Sequence, residues 1–179
     1  MRIFGEQQVA ASVLLVLVML GASWTDLRSR RIPNWLTMSG IIAGLVIRMW
    51  MGPGPVLSGL LGVALALLLA LPFFVAGVLG GGDAKLLMAV GAFMGPGDLA
   101  AASLVIALTG GLVALVEAAR RGVLLPTLVA CGSLIVSWVT FGRRPASRSA
   151  AGGERLTVPY GIAIAVGSLL WWFAGGLMS

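Results

Sequence analysis

The sequence predicts an all-α protein, a polytopic transmembrane helix bundle of about six transmembrane helices with one additional apolar segment, interfacial or re-entrant. Three observations lead there. Of the 179 residues 59% are hydrophobic and 10% charged, and the mean hydropathy of +1.06 exceeds that of soluble globular domains. Apolar runs recur along the whole chain, parted by charged or Gly/Pro-rich stretches. The basic residues sit beside these runs, where they act as topology signals. Six passes of about 20 residues each leave only short loops. Residues 1–179 therefore read as a single transmembrane domain.

The runs fall at 8–25, 35–51, 56–79, 85–95, 98–117, 123–141 and 158–177. The first is followed by Asp26 and arginines instead of a small-residue cleavage site, so it is expected to be a retained helix and not a signal peptide. The second carries Arg48 near its end, where a long side chain snorkels. The run 85–95 is short unless its helix extends past Gly95-Pro96-Gly97 or starts deeper. The run 123–141 contains Pro126, Thr127, Ser133 and Ser137, which leaves spanning, re-entrant and interfacial placements open. Beyond it, "RRPASRSAAGGERL" (143–156) reads as a flexible polar connector. Gly40/Gly44 and Gly161/Gly167 supply small surfaces for close helix approach.

Charge sets the expected topology. If the loops at 26–33, 80–85 and 118–157 share one face, ten basic residues collect there: Arg28, Arg30, Arg31, Lys85, Arg120, Arg121, Arg143, Arg144, Arg148 and Arg155. Only Arg2 and Arg48 remain opposite, so the first face is cytoplasmic by the positive-inside rule. Six passes satisfy this arrangement if 123–141 does not cross. The net charge of +6 does not indicate a nucleic-acid partner, because the basic residues flank hydrophobic spans and form no soluble basic face.

The chain has one cysteine, Cys131, and no histidine. An internal disulfide and a cysteine-based zinc site are excluded, and the commonest general base and metal ligand is missing. Catalysis would have to use carboxylates. No cofactor or metal is expected. Of six acidic residues, Glu6, Asp98, Glu117 and Glu154 have surface or capping explanations. Asp26 and Asp83 are different: the predicted topology brings both to one membrane face at helix ends. Taken singly, Asp26 is explained by pairing with a nearby arginine, and Asp83 by capping the following helix. Together they form a pair with a use. Two close carboxyls share a proton, so one can take a proton from water while the other donates to a peptide carbonyl. Gly80, Gly81 and Gly82 are expected to permit an unwound backbone and close approach beside Asp83. A dinucleotide or phosphate-loop reading fails, since neither full fingerprint is present.

Three stretches, "DLRSRRIPN" after the first span, "GGGDAKL" and "VPYG" at the last span, occur in this order. In them the sequence resembles the type IV prepilin peptidase family of GxGD membrane aspartyl proteases, and most closely its short TadV/CpaA-type members. The resemblance implies Asp26 and Asp83 as the catalytic dyad and Gly80 and Gly82 as the motif glycines. It implies supporting roles for Lys85, Arg28, Arg31, Pro33 and Asn34, and packing near the site for Pro159, Tyr160 and Gly161. It further implies cleavage of the leader of a Flp-type prepilin or pseudopilin after a glycine. The cut would lie at the cytoplasmic face of a bacterial inner membrane, before the substrate's hydrophobic helix. Longer members carry paired Cys-x-x-Cys motifs and methylate the new amino terminus. With Cys131 alone, no methyltransferase or zinc-binding domain is expected. A presenilin-type enzyme shares GxGD but pairs it with Tyr-Asp, whereas Thr25 precedes Asp26. Outside proteases, the competing readings are a small transporter or channel using the aspartates as ion sites, and a membrane assembly scaffold.

Overall fold

The structure is a computed structural model and describes residues 2–29, 31–75, 77, 79–120, 122 and 160–178. They form five helices: α1 (Arg2–Ser29), α2 (Asn34–Met51), α3 (Pro53–Val75), α4 (Gly81–Arg120) and α5 (Tyr160–Met178). Among the described residues there is no strand. The chain divides into two compact units, Met1–Gly110 with Pro159–Ser179, and Gly111–Val158. The described part of the second unit is the end of α4. Gly122 stops that helix at φ +68, and its N–H donates to the Ala119 carbonyl at 3.1 Å, a left-handed glycine cap.

The first unit is built on small residues that let backbones touch. Gly21 on α1 faces Leu36 on α2, and Gly40 on α2 faces Val18 on α1, so the two helices are antiparallel. Gly40 also abuts Ala89, and Gly44 abuts Ala92 and Phe93, so α2 runs parallel to the start of α4. On α3, Gly62 meets Gly91 backbone to backbone and Phe74 meets Gly81, so α3 runs against that same limb. A Cβ at either Gly62 or Gly91 would run into the other's carbonyl group. This is the small-residue packing expected where lipid supplies no hydrophobic drive between helices.

α4 is two helices joined through a sharp reversal. Gly95 has φ 79 and ψ 176, outside the helical region, and Pro96 follows without an N–H to continue the ladder. The direction of each limb follows from its neighbours. α5 is antiparallel to α1, with Gly161 at Asp26 and Trp172 at Ser12. It is also antiparallel to residues 106–110, with Gly167 at Ile106 and Tyr160 at Gly110. The limb after Gly95 thus runs with α1, whereas the limb before it runs with α2 and against α1. The chain doubles back at Gly95. Arg48 occupies the elbow, donating from Nε and Nη2 to the Phe93 carbonyl at 3.1 and 2.7 Å and from Nη1 to the Pro55 carbonyl at 3.1 Å. The guanidinium thus supplies donors to the Phe93 carbonyl beside the break. The side chain expected to snorkel is turned onto the protein's own carbonyls.

Three described helices are long and apolar enough to cross a membrane: α1 over Gly5–Ser29, α3 and α4. Length and composition therefore do not support the expected six passes. α2 has 18 residues and is diluted by Asn34 and Arg48, the apolar part of α5 is short, and the runs 85–95 and 98–117, taken together as α4, are its two antiparallel limbs. The segment 123–141 lies outside the described residues. Leu17, Leu20 and Trp24 on α1 and Leu68, Leu71 and Phe74 on α3 stay exposed, whereas alanines and glycines are buried. Such an inside-out distribution suits hydrocarbon as solvent, and the three long apolar helices mark a membrane protein.

Candidate active site

Asp26 and Asp83 come together where α1 ends and α2, α4 and α5 begin. Asp26 lies in the last turn of α1 and is 6% exposed. A charge so placed must be hydrogen-bonded. Its Oδ2 accepts the Gly161 backbone N–H at 3.0 Å. Gly161 is the second residue of α5, so this N–H has no partner within its own helix. Asp26 therefore caps α5 from another helix. Asp83, half-buried, is the third residue of α4, and its carboxylate accepts the N–H of Gly80, just before the helix. This is the return half of a capping box. The Ala84 N–H closes the first turn onto the Gly80 carbonyl at 3.0 Å. The two carboxyls are close enough for their charges to interact.

The same end gathers three helix N-termini, whose partial positive charge favours carboxylates. Pro33 stands immediately before α2 with φ −68 and ψ 139, and its carbonyl accepts the Leu36 and Thr37 N–H groups at 3.1 and 3.4 Å. Asn34 opens α2, and its Oδ1 accepts the Lys85 ammonium at 2.9 Å. Lys85, two residues after Asp83, thus fastens α4 to the start of α2. Arg28 and Arg31 are exposed at the end of α1 and in the loop after it. Tyr160 and Gly161 begin α5, with the Tyr160 ring against Gly110. Pro159 lies outside the described residues.

The glycines serve otherwise than expected. Gly81 and Gly82 are already helical, and none of Gly80, Gly81 and Gly82 has the positive φ seen at Gly77 or Gly95. What Gly82 supplies is space. A Cβ there would stand 3.1 Å from the Cβ and 3.3 Å from the carbonyl oxygen of Ile32. At Gly161 a Cβ would stand 2.8 Å from Asp26 Oδ2 and 3.0 Å from Ile32 Cδ1. Ile32 is the residue that sequence reasoning passed over. Its one signal was an apolar side chain amid the basic and polar residues of "RSRRIPN".

A cavity of about 1320 Å³ opens elsewhere, lined by Arg48, Ser58, Asp98, Trp171 and others, and contains neither Asp26 nor Asp83. Its size does not make it the reactive centre, since it lacks paired groups for acid–base work. Among the described residues no three His, Cys, Asp or Glu side chains cluster as a metal site requires.

The family model described as the type IV leader peptidase family matches residues 13–115, more than half the chain, including both aspartates. No curated protein and no solved structure matches the chain.

Proposed function

Starting from a chain that belongs to the type IV leader peptidase family, and so from a leader-peptidase-like protease, we propose that it is an aspartic endopeptidase using Asp26 and Asp83. The observation that carries this reading is that two carboxyls from separate helices lie close enough for their charges to interact, each held by a glycine N–H. Fixed carboxylates suit catalysis because their orientation is set before substrate arrives. The pair holds one proton between its two members. A water between them gives a proton to the ionised carboxylate as its oxygen bonds to the scissile carbonyl carbon. The protonated carboxyl donates to the carbonyl oxygen, giving a neutral gem-diol. Collapse of the gem-diol breaks the C–N bond, and a carboxyl proton goes to the leaving amine. All the protons are supplied by the dyad and water.

The substrate in this reading is a prepilin or pseudopilin of the Flp type, cut after a glycine before its hydrophobic helix. The cut lies on the cytoplasmic side of a bacterial inner membrane, and the whole chain acts as one transmembrane peptidase domain. Arg28, Arg31 and Lys85 beside the site, and Arg48 at the far elbow, agree with that orientation. Supporting roles go to Gly80 and Gly82 on α4, to Pro33 and Asn34 at the start of α2, and to Pro159, Tyr160 and Gly161 at the start of α5.

The test is purified protein in detergent micelles with a synthetic prepilin spanning the leader and the first hydrophobic residues, with products identified by mass. Cleavage after the glycine without any ion gradient supports the peptidase. Intact peptide, together with carboxylate-dependent ion flux in vesicles, would replace it with the transporter reading.

A further inference from the structure

The space between the two aspartates' mounts is filled by one side chain. Ile32 is buried in the non-helical stretch 31–33, between an exposed arginine and Pro33. Its backbone and Cβ lie against Gly82, the residue before Asp83, while its Cδ1 lies against Gly161, whose N–H holds Asp26. Burial explains why an isoleucine is apolar here, but not why both of its ends meet glycines.

Moreover, the loop does not float between the helices. Asn34, two residues on, accepts the Lys85 ammonium at 2.9 Å, and Lys85 lies two residues beyond Asp83. Ile32 thus travels with the first turn of α4 and presses its tip on the first turn of α5. The distance from the Asp83 mount to the Asp26 mount is one isoleucine side chain.

We infer that Ile32 is a positioning residue that sets the separation of Asp26 and Asp83, an inference that rests on the dyad reading above. It touches neither water nor peptide bond in the reaction and acts through Gly82 and Gly161. Removing Cδ1 (Ile32→Val) or most of the side chain (Ile32→Ala) lets the Gly161–Asp26 assembly close toward Asp83. Misplacement of reacting groups by about 1 Å costs on the order of 100-fold in rate. The expected loss in kcat is therefore graded, roughly tenfold for valine and about 100-fold for alanine.

A closer pair also titrates differently. Repulsion between two ionised carboxyls grows as they approach, so the acid and base limbs of the pH–rate bell move apart. Arg28, Arg31, Lys85 and Tyr160 are the other titratable groups at this end among the described residues, and none of them is altered in the variants. A merely structural isoleucine would lower the amount of folded protein and leave the bell unchanged.

The experiment measures kcat, KM and the pH–rate profile for purified wild type, Ile32→Val and Ile32→Ala on one synthetic prepilin, per mole of folded protein. Asp26→Asn and Asp83→Asn are run beside them. A graded fall in kcat with a broadened bell supports the spacer, and valine alone suffices if alanine does not fold. A bell and kcat unchanged within twofold, while both asparagine variants are inactive, would overturn the spacer and leave the dyad standing. Full activity in either asparagine variant would overturn both.

Discussion

In the proposed mechanism each aspartate has two tasks, and the two separate on substitution. Asp26 caps α5 through the Gly161 N–H, and Asp83 caps its own helix through Gly80. Asparagine keeps an acceptor for that N–H but cannot exchange the proton. Alanine loses both. Asp26→Ala is therefore expected to destabilise the fold by about 1 kcal/mol more than Asp26→Asn, read as a lower thermal midpoint in detergent. Equal midpoints would remove the capping role. Gly161→Ala adds a Cβ 2.8 Å from Asp26 Oδ2. It is expected to lower cleavage on the order of 100-fold, with near-normal rates counting against the tight seat described here. The coming together of the two aspartates was legible in the sequence because a carboxylate beside an apolar span demands a reason. Ile32 was not, since an apolar residue demands none, and only the glycines facing it reveal what it does.

At the scale of elements, the chain's bends and contacts rest on glycine and one arginine. The Gly95-Pro96-Gly97 break was readable, and so were the sites of close approach at Gly40, Gly44 and Gly167. The fate of Arg48 was not. A cation near a span end looks the same in sequence whether it reaches lipid headgroups or a carbonyl 45 positions later. Arg48→Ala removes the side-chain donors to the Phe93 and Pro55 carbonyls, a loss of about 1–3 kcal/mol. The midpoint should fall in the variant, and an unchanged midpoint would show that the elbow holds without the clasp. Gly62→Ala, which drives a methyl into the Gly91 carbonyl, should destabilise by about 1–3 kcal/mol through overpacking, again read by thermal unfolding.

For the whole molecule, direction and sidedness are the testable content. The antiparallel limbs of α4 put Asp98 at the opposite end of the first unit from Arg31 and the aspartates. Single cysteines at Arg31 and Gly97, in a Cys131→Ser background, should react with impermeant thiol reagents from opposite sides of the membrane, Arg31→Cys from the cytoplasmic side. Labelling of both from one side would break the topology. The fold class was legible from composition, because burying apolar surface is impossible for a chain this hydrophobic in water. The number of passes was not, because apolar runs do not reveal when a polar residue shortens a span.

The measurement that bears most directly on the central claim is cleavage of one prepilin by wild type, Asp26→Asn and Asp83→Asn, each verified as folded and membrane-inserted at equal amount. The dyad predicts processing by wild type and its loss in both variants, because neither carboxyl can complete the proton cycle alone. Processing that survives in either variant would contradict the two-aspartate mechanism.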